Sequence, residues 1–218
     1  MSGLYTELAA AYVRGSLAGT DPVADEAALI SLGRAAGLKL HRFKRTMDLP
    51  RVKAVLGILK GLAPSDLLDV GSGRGVFLWP LLDAFPDLAV TAVERDDRRR
   101  AHLDAVRSGG VDRLRVVGED AGALPFPDRA FDVVTLLEVL EHQQDPAPLA
   151  REALRLARRF VIASVPSRPD DNPEHVQLFS GESLGALLEA AGATRTTIDY
   201  VPNHIIALAR ADQPRGGQ

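Results

Sequence analysis

The stretch Asp66–Gly75, DLLDVGSGRG, decides the fold. Its first five residues, Asp66-Leu67-Leu68-Asp69-Val70, form an apolar run with almost no alternation, the pattern of a strand buried on both faces. Gly71, Gly73 and Gly75 then alternate with Ser72 and Arg74. Glycine lets such a turn tighten and lets backbone N–H groups approach a ligand with no Cβ in the way. A helical stretch follows to about Ala84. Strand, glycine turn and helix in that order are the opening unit of a parallel sheet.

Outward from this unit the texture repeats. Short apolar runs at 89–94 (AVTAVE), 113–117 (RLRVV), 131–137 (FDVVTLL) and 160–165 (FVIASV) alternate with helical segments at 97–108, 146–157 and 180–192, the last opened by Ser180. Strands alternating with 10–15-residue helices predict a parallel sheet covered on both faces. The final pair, 194–201 and 204–211, is joined only by Pro202-Asn203, too short for a crossover, so these strands must run antiparallel. The predicted fold class is therefore α/β: a doubly wound, mostly parallel seven-stranded sheet, Rossmann-like, with an antiparallel last strand at its end. Ahead of it, 4–18, 23–36 and 49–61 look helical, with Asp21 and Pro22 starting the second and Gly37 and Gly61 standing at helix ends. This predicts three parts: a helical extension over 1–62, a core over 63–211, and a disordered tail over 212–218.

The chain has 218 residues, 46% of them apolar and 25% charged, the composition of an ordinary globular domain. It contains no cysteine, which excludes disulfide scaffolds, zinc-thiolate sites, Fe–S clusters and cysteine nucleophiles together. No apolar run approaches a membrane span, and MSGLYTELAA lacks the basic-then-apolar pattern of a secretory signal, so the expected location is cytoplasmic. The net charge of −3 is unevenly spread: residues 38–60 carry seven Lys/Arg against one acid. Such a block is either a solvated face or a site for an anionic substrate or nucleic-acid backbone. Aromatic residues, at 5%, offer no stacking platform for single-stranded nucleic acid.

In open parallel sheets, ligands bind at the carboxyl ends of the strands, where strand order reverses. Glu94 closes the second strand 21 residues beyond Gly73, and an acid there can accept both hydroxyls of a ribose. A nucleoside-containing cofactor follows. The dinucleotide fingerprint G-x-G-x-x-G would put a third glycine at position 76; that position is Val76, and the spacing G-x-G-x-G weakens NAD or FAD.

LLDVGSGRG, the Glu94 strand end, GEDAGALPFPDRAFDVVTLLEVLEH and HVQLFSGESLGALLEAAG together resemble the class I S-adenosylmethionine-dependent methyltransferases, in family order over about residues 64–210. The resemblance implies S-adenosylmethionine as cofactor, with Asp69, Gly71, Ser72 and Gly73 around its methionine part. It implies further that Glu94 takes the ribose hydroxyls, Asp120 and Ala121 hold the adenine edge, and Leu137 lies near the sulfonium. Carboxylates suit a cationic sulfonium and amino group. Asp69 is equally open to a structural role, orienting the glycine loop by accepting its N–H bonds.

Methyl transfer from a sulfonium mainly needs an aligned nucleophile and a dry site; a hydroxyl or amine acceptor also needs its proton removed. The candidates are Glu138 and His142 in Glu138-Val139-Leu140-Glu141-His142, where a helical turn would bring Glu138 onto one face with Glu141 and His142. Three arrangements are open. Glu141 and His142 can serve the following helix, with His175 packed against it and Glu138 near the cofactor. Alternatively, His142 is a general base. In the third, Glu138, Glu141, His142 and His175 bind Mn²⁺ or Mg²⁺, which resembles the enzymes that methylate the 3′-terminal ribose of small RNAs. The reading adopted is metal-free methyl transfer to a small molecule, with nucleic acid disfavoured as a partner. The RNA enzyme and a non-catalytic cofactor-binding protein are the alternatives. In the helical extension, Tyr5, Tyr12, His41, Arg42 and Phe43 are candidates for shaping the substrate pocket.

Overall fold

The fold is taken from a computed structural model, which describes residues 4–21, 24–169 and 171–212. Seven strands form one sheet in the order β3-β2-β1-β4-β5-β7-β6. They are β1 (Asp66–Val70), β2 (Ala89–Val93), β3 (Leu114–Val117), β4 (Phe131–Leu137), β5 (Ala157–Pro166), β6 (Arg195–Val201) and β7 (His204–Arg210). The first five pair in parallel, and β7 runs antiparallel to both β5 and β6. The antiparallel pair matches the two-residue link. The last strand does not sit at the end of the sheet, however: it inserts between β5 and β6, leaving β6 as the edge. Strand order reverses between β1 and β4, and that is where the carboxyl-end crevice opens.

Burial on both faces follows from the period-2 alternation of a strand. In β1, Leu67 joins the apolar cluster on one face while Leu68 and Val70 join the cluster on the other. Val133 and Val134 of β4 divide in the same way. One face is covered by α1 (Thr6–Ser16), α2 (Glu26–Ala35), α3 (Pro50–Leu62), α4 (Leu78–Ala84) and α5 (Asp97–Ser108). The other is covered by α6 (Ala147–Leu156) and α7 (Gly181–Ala190). The N-terminal helices are therefore continuous with the core of the sheet: Leu8, Leu29 and Val55 share one cluster with Leu67, Val90 and Leu103.

Helix ends depart from expectation in two places. The N-cap of α2 is Asp25, whose side chain accepts from the Ala28 N–H, and not Asp21; Pro22 lies outside the described residues. α3 runs past Gly61 and ends on Ala63, which takes the left-handed conformation with φ 45°. α7 begins as expected at Ser180, in a reciprocal cap with Ser183. Of the tail, residues 213–218 lie outside the described residues. No described helix is long and apolar enough to cross a membrane.

Candidate active site

A cavity of about 790 Å³ opens at the carboxyl edge of β1, β2 and β4. Asp69, Gly71, Ser72, Gly73, Glu94, Asp120, Ala121, Leu137, Glu138 and His142 all line it. These residues come from four stretches of chain, at or just after the ends of β1, β2, β3 and β4, and the parallel sheet brings them together by stacking the carboxyl ends of its strands.

The glycine loop is held from β2. The N–H groups of Gly71 and Ser72 donate to the Val93 carbonyl at 2.9 and 3.2 Å, and the Gly73 N–H donates to Glu94 Oε2 at 2.8 Å. Glu94 is 5% exposed, and its other oxygen accepts from the Asp96 N–H at 2.9 Å. The role of orienting the loop thus falls to Val93 and Glu94, not to the Asp69 carboxylate. Gly71 has φ 75°, and a Cβ there would meet Val139 Cγ2 at 2.7 Å. Gly75 has φ 81°, and a Cβ there would lie 2.1 Å from the indole of Trp79. The Trp79 Nε1–H in turn donates to the Arg74 carbonyl at 3.1 Å. The third glycine falls at position 75 because the indole closes the loop from behind.

Asp69 is 2% exposed. Its Oδ1 accepts from Thr135 Oγ1 at 2.8 Å, while its buried Oδ2 has no hydrogen-bond partner among the described residues. Burial pushes its carboxyl above the ordinary value; the Ser72 and Thr135 hydroxyls oppose this, and the charge of Glu94 adds to it. An orphaned carboxylate oxygen on a cavity wall is a place for a cationic ligand group. Asp120, at the far end, folds one oxygen back onto the Gly122 N–H at 2.8 Å and lines the cavity from an exposed turn.

Beyond β4 the chain does not turn as a helix from Glu138. Glu138 takes a left-handed backbone, φ 58°, and only Leu140–His142 form a short 3-10 turn. Glu138 therefore leaves the face shared by Glu141 and His142. Its Oε1 accepts from Ser164 Oγ at 3.0 Å and its Oε2 lies 3.1 Å from His204 Nε2. Among the four candidate metal ligands, Glu141, His142 and His175 come together, with ligand atoms within 4.8 Å of one another; Glu138 is not among them. His142 Nδ1 lies 2.9 Å from the Glu174 carbonyl, which can only accept, so Nδ1–H is the donor in that contact. Its ring meets that of His175 edge-on at 4.9 Å. Glu141 is buried, 3.9 Å from His175 Nε2.

The N-terminal candidates are elsewhere. Tyr5, Tyr12 and Phe43 are buried in the core, and His41 and Arg42 do not line the cavity. Arg51 and Val52 of α3 line it instead. Arg51 belongs to the basic block but is singled out by no motif; its guanidinium makes no hydrogen bond or ion pair with any described residue. Ser164 and His204 were also missed, since no motif contains them.

The sequence profile of a methyltransferase domain family matches residues 38–198. The chain is 33% identical over 137 residues to a probable S-adenosylmethionine-dependent methyltransferase of Mycobacterium tuberculosis, covering 58% of this chain and 48% of that protein. It is 35% identical over 143 residues to a demethylmenaquinone methyltransferase of Roseiflexus, covering 62% and 58%. The chain thus spans about half the length of the curated relatives it matches. A crystal structure of a SAM-dependent methyltransferase from Aquifex aeolicus superposes with a TM-score of 0.63 at 19% identity, over 88% of this chain and 99% of that one, and shows the same fold. The profile match, over well more than half the chain, establishes the family: the protein belongs to the class I S-adenosylmethionine-dependent methyltransferases.

Proposed function

We propose that this chain transfers a methyl group from S-adenosylmethionine to an oxygen, nitrogen or carbon atom of a small molecule. The observation that carries the proposal is one cavity at the sheet's reversal point that gathers Asp69, the glycine loop, Glu94, Asp120 and Leu137 with Glu138 and His142. The residues fit the cofactor. The buried, unpartnered Asp69 Oδ2 suits its cationic amino-acid end, and at Gly71 and Gly75 a Cβ would collide with Val139 and Trp79, so the loop keeps its close approach. Glu94 has lone pairs left for the ribose hydroxyls after accepting two N–H bonds, and Asp120 with Ala121 borders the adenine end.

When bound, S-adenosylmethionine supplies an activated methyl group. The chain's own work is then alignment and proton handling. His142 and Glu138 line the same cavity as Leu137, so an acceptor hydroxyl or amine can lose its proton to one of them. A small-molecule acceptor is supported by the relatives named for quinone substrates, such as the demethylmenaquinone methyltransferase. Calorimetry with S-adenosylmethionine and S-adenosylhomocysteine, followed by a radiolabelled methyl-transfer screen over phenols, catechols, quinols and amines, tests the reading. Absence of binding by either cofactor form would end it.

A further inference from the structure

Glu138 is held in an unusual geometry at the carboxyl edge. A left-handed backbone is uncommon for a residue with a side chain, and here it ends the central strand of the sheet. The Glu138 N–H donates to the Ser164 carbonyl at 3.0 Å, so the β4–β5 ladder continues one residue past the turn. From the same residue of β5, Ser164 Oγ donates to Oε1 at 3.0 Å. From the first residue of β7, His204 Nε2 approaches Oε2 at 3.1 Å. Two side chains from two neighbouring strands thus hold the carboxylate, and a backbone bond holds the residue, which also lines the cavity.

We propose that Glu138 is the base for a hydroxyl acceptor and that Ser164 and His204 are positioning residues that set its carboxylate. The proposal rests on the methyl-transfer reading. A carboxylate has about four lone-pair directions, and Ser164 and His204 occupy one on each oxygen. The remaining directions serve the cavity. His204 cannot swing away freely. Its backbone is held in register opposite Pro166, and its Nδ1 lies 3.3 Å from the Pro202 carbonyl, so both ring nitrogens have close neighbours. A carboxylate fixed in this way meets an acceptor hydroxyl without first being ordered. In the step itself the acceptor O–H bond breaks and its proton moves to a Glu138 oxygen. The acceptor oxygen bonds the methyl carbon, and the carbon–sulfur electron pair stays on sulfur. Glu138 then returns the proton to water through the cavity mouth.

The test uses the full chain with S-adenosylmethionine and two hydroxyl probes. One is catechol; the other is 4-nitrocatechol, whose more acidic hydroxyl is already ionised in mildly alkaline buffer. On catechol, Glu138→Gln should lower kcat ~100-fold. His204→Ala should lower it ~10-fold with little change in KM, and His204→Gln, which keeps an N–H donor, should recover most of that loss. On 4-nitrocatechol, methylated at its already ionised hydroxyl, all these losses should shrink to about twofold, because that oxygen has no proton to lose. Affinity for S-adenosylhomocysteine and Tm should stay near wild type throughout. Equal losses on the two probes, full kcat in His204→Ala, or a parallel loss of S-adenosylhomocysteine affinity would each overturn the proposal. So would the absence of transfer to either probe by a chain that still binds S-adenosylhomocysteine, an outcome that leaves methyl transfer to another acceptor standing.

Discussion

Glu94 Oε2 accepts a hydrogen bond from the Gly73 N–H at 2.8 Å, so the acid at the end of the second strand grips the loop at the end of the first. The same side chain is the candidate for the ribose hydroxyls, and its two duties reinforce each other. Glu94→Ala would remove the ribose contacts and release the loop together. Charge-assisted hydrogen bonds contribute roughly 1.5–3 kcal/mol each, so affinity for S-adenosylhomocysteine should fall ~10-fold or more. Glu94→Gln retains an acceptor oxygen and should lose less. Calorimetry on the two variants checks the order, and equal affinity in Glu94→Ala and wild type would show that neither duty contributes to cofactor binding.

Gly75→Ala should destabilise the fold itself. The added Cβ would fall 2.1 Å from the Trp79 indole, in a backbone conformation of φ 81° that alanine resists. Overpacking of this kind typically costs about 1–3 kcal/mol. Trp79 is the sole tryptophan, so its emission reports the loop directly. Urea unfolding followed by that emission should show a lower midpoint, with native emission shifted toward the exposed form. An unchanged midpoint would mean that the indole has room to move.

The sheet was legible in the sequence because its inner strands, β1, β2, β4 and β5, are largely buried and appear as short, mostly apolar runs. The glycine loop and Glu94 were legible because strand–turn–helix chemistry concentrates there in a short span. The partners of Glu138 were not. Ser164 lies inside an apolar strand, and His204 is 66 residues away from Glu138 in sequence. The signal for His204 was topological. An antiparallel strand begins at the edge where its parallel neighbours end, so the first residue of β7 had to lie at the carboxyl edge beside the strand it pairs with. Placing that strand at the end of the sheet, instead of next to β5, put His204 out of reach. Helical spacing from Glu138 to His142 misled for a local reason: one residue with positive φ rotates everything after it, and a sequence gives little warning of positive φ outside glycine and asparagine.

Arg51 should matter for binding and not for folding. It lines the cavity from the first turn of α3, and no described residue neutralises it. The cofactor carries one anionic group, its carboxylate, at the end assigned to the glycine loop. Arg51→Ala should therefore weaken S-adenosylhomocysteine by roughly tenfold, in line with the loss of one charge-assisted bond. Binding of 5′-methylthioadenosine, which has no carboxylate, should not change. If both ligands weaken alike, Arg51 shapes the cavity without meeting the carboxylate.

Asp69 makes cofactor binding depend on pH with a defined sign. Burial raises its folded-state pKa above the ordinary value of 3.8, so between 3.8 and the raised value the folded chain holds a proton that the unfolded chain has lost. Within that window stability falls as pH rises, and Asp69→Asn should flatten the fall. Cofactor binding should respond in the opposite sense. A cationic amino group beside Oδ2 favours the ionised carboxylate, so affinity should rise with pH through the raised value, and binding should release a proton. Calorimetry with S-adenosylhomocysteine in buffers of different ionisation enthalpy measures that release directly. Wild type should show a buffer-dependent heat in the window between 3.8 and the raised value, and Asp69→Asn should bind more weakly with no buffer dependence from this site. A variant that keeps the wild-type proton release would place the titrating group elsewhere in the cavity and remove Asp69 from contact with the ligand's cation.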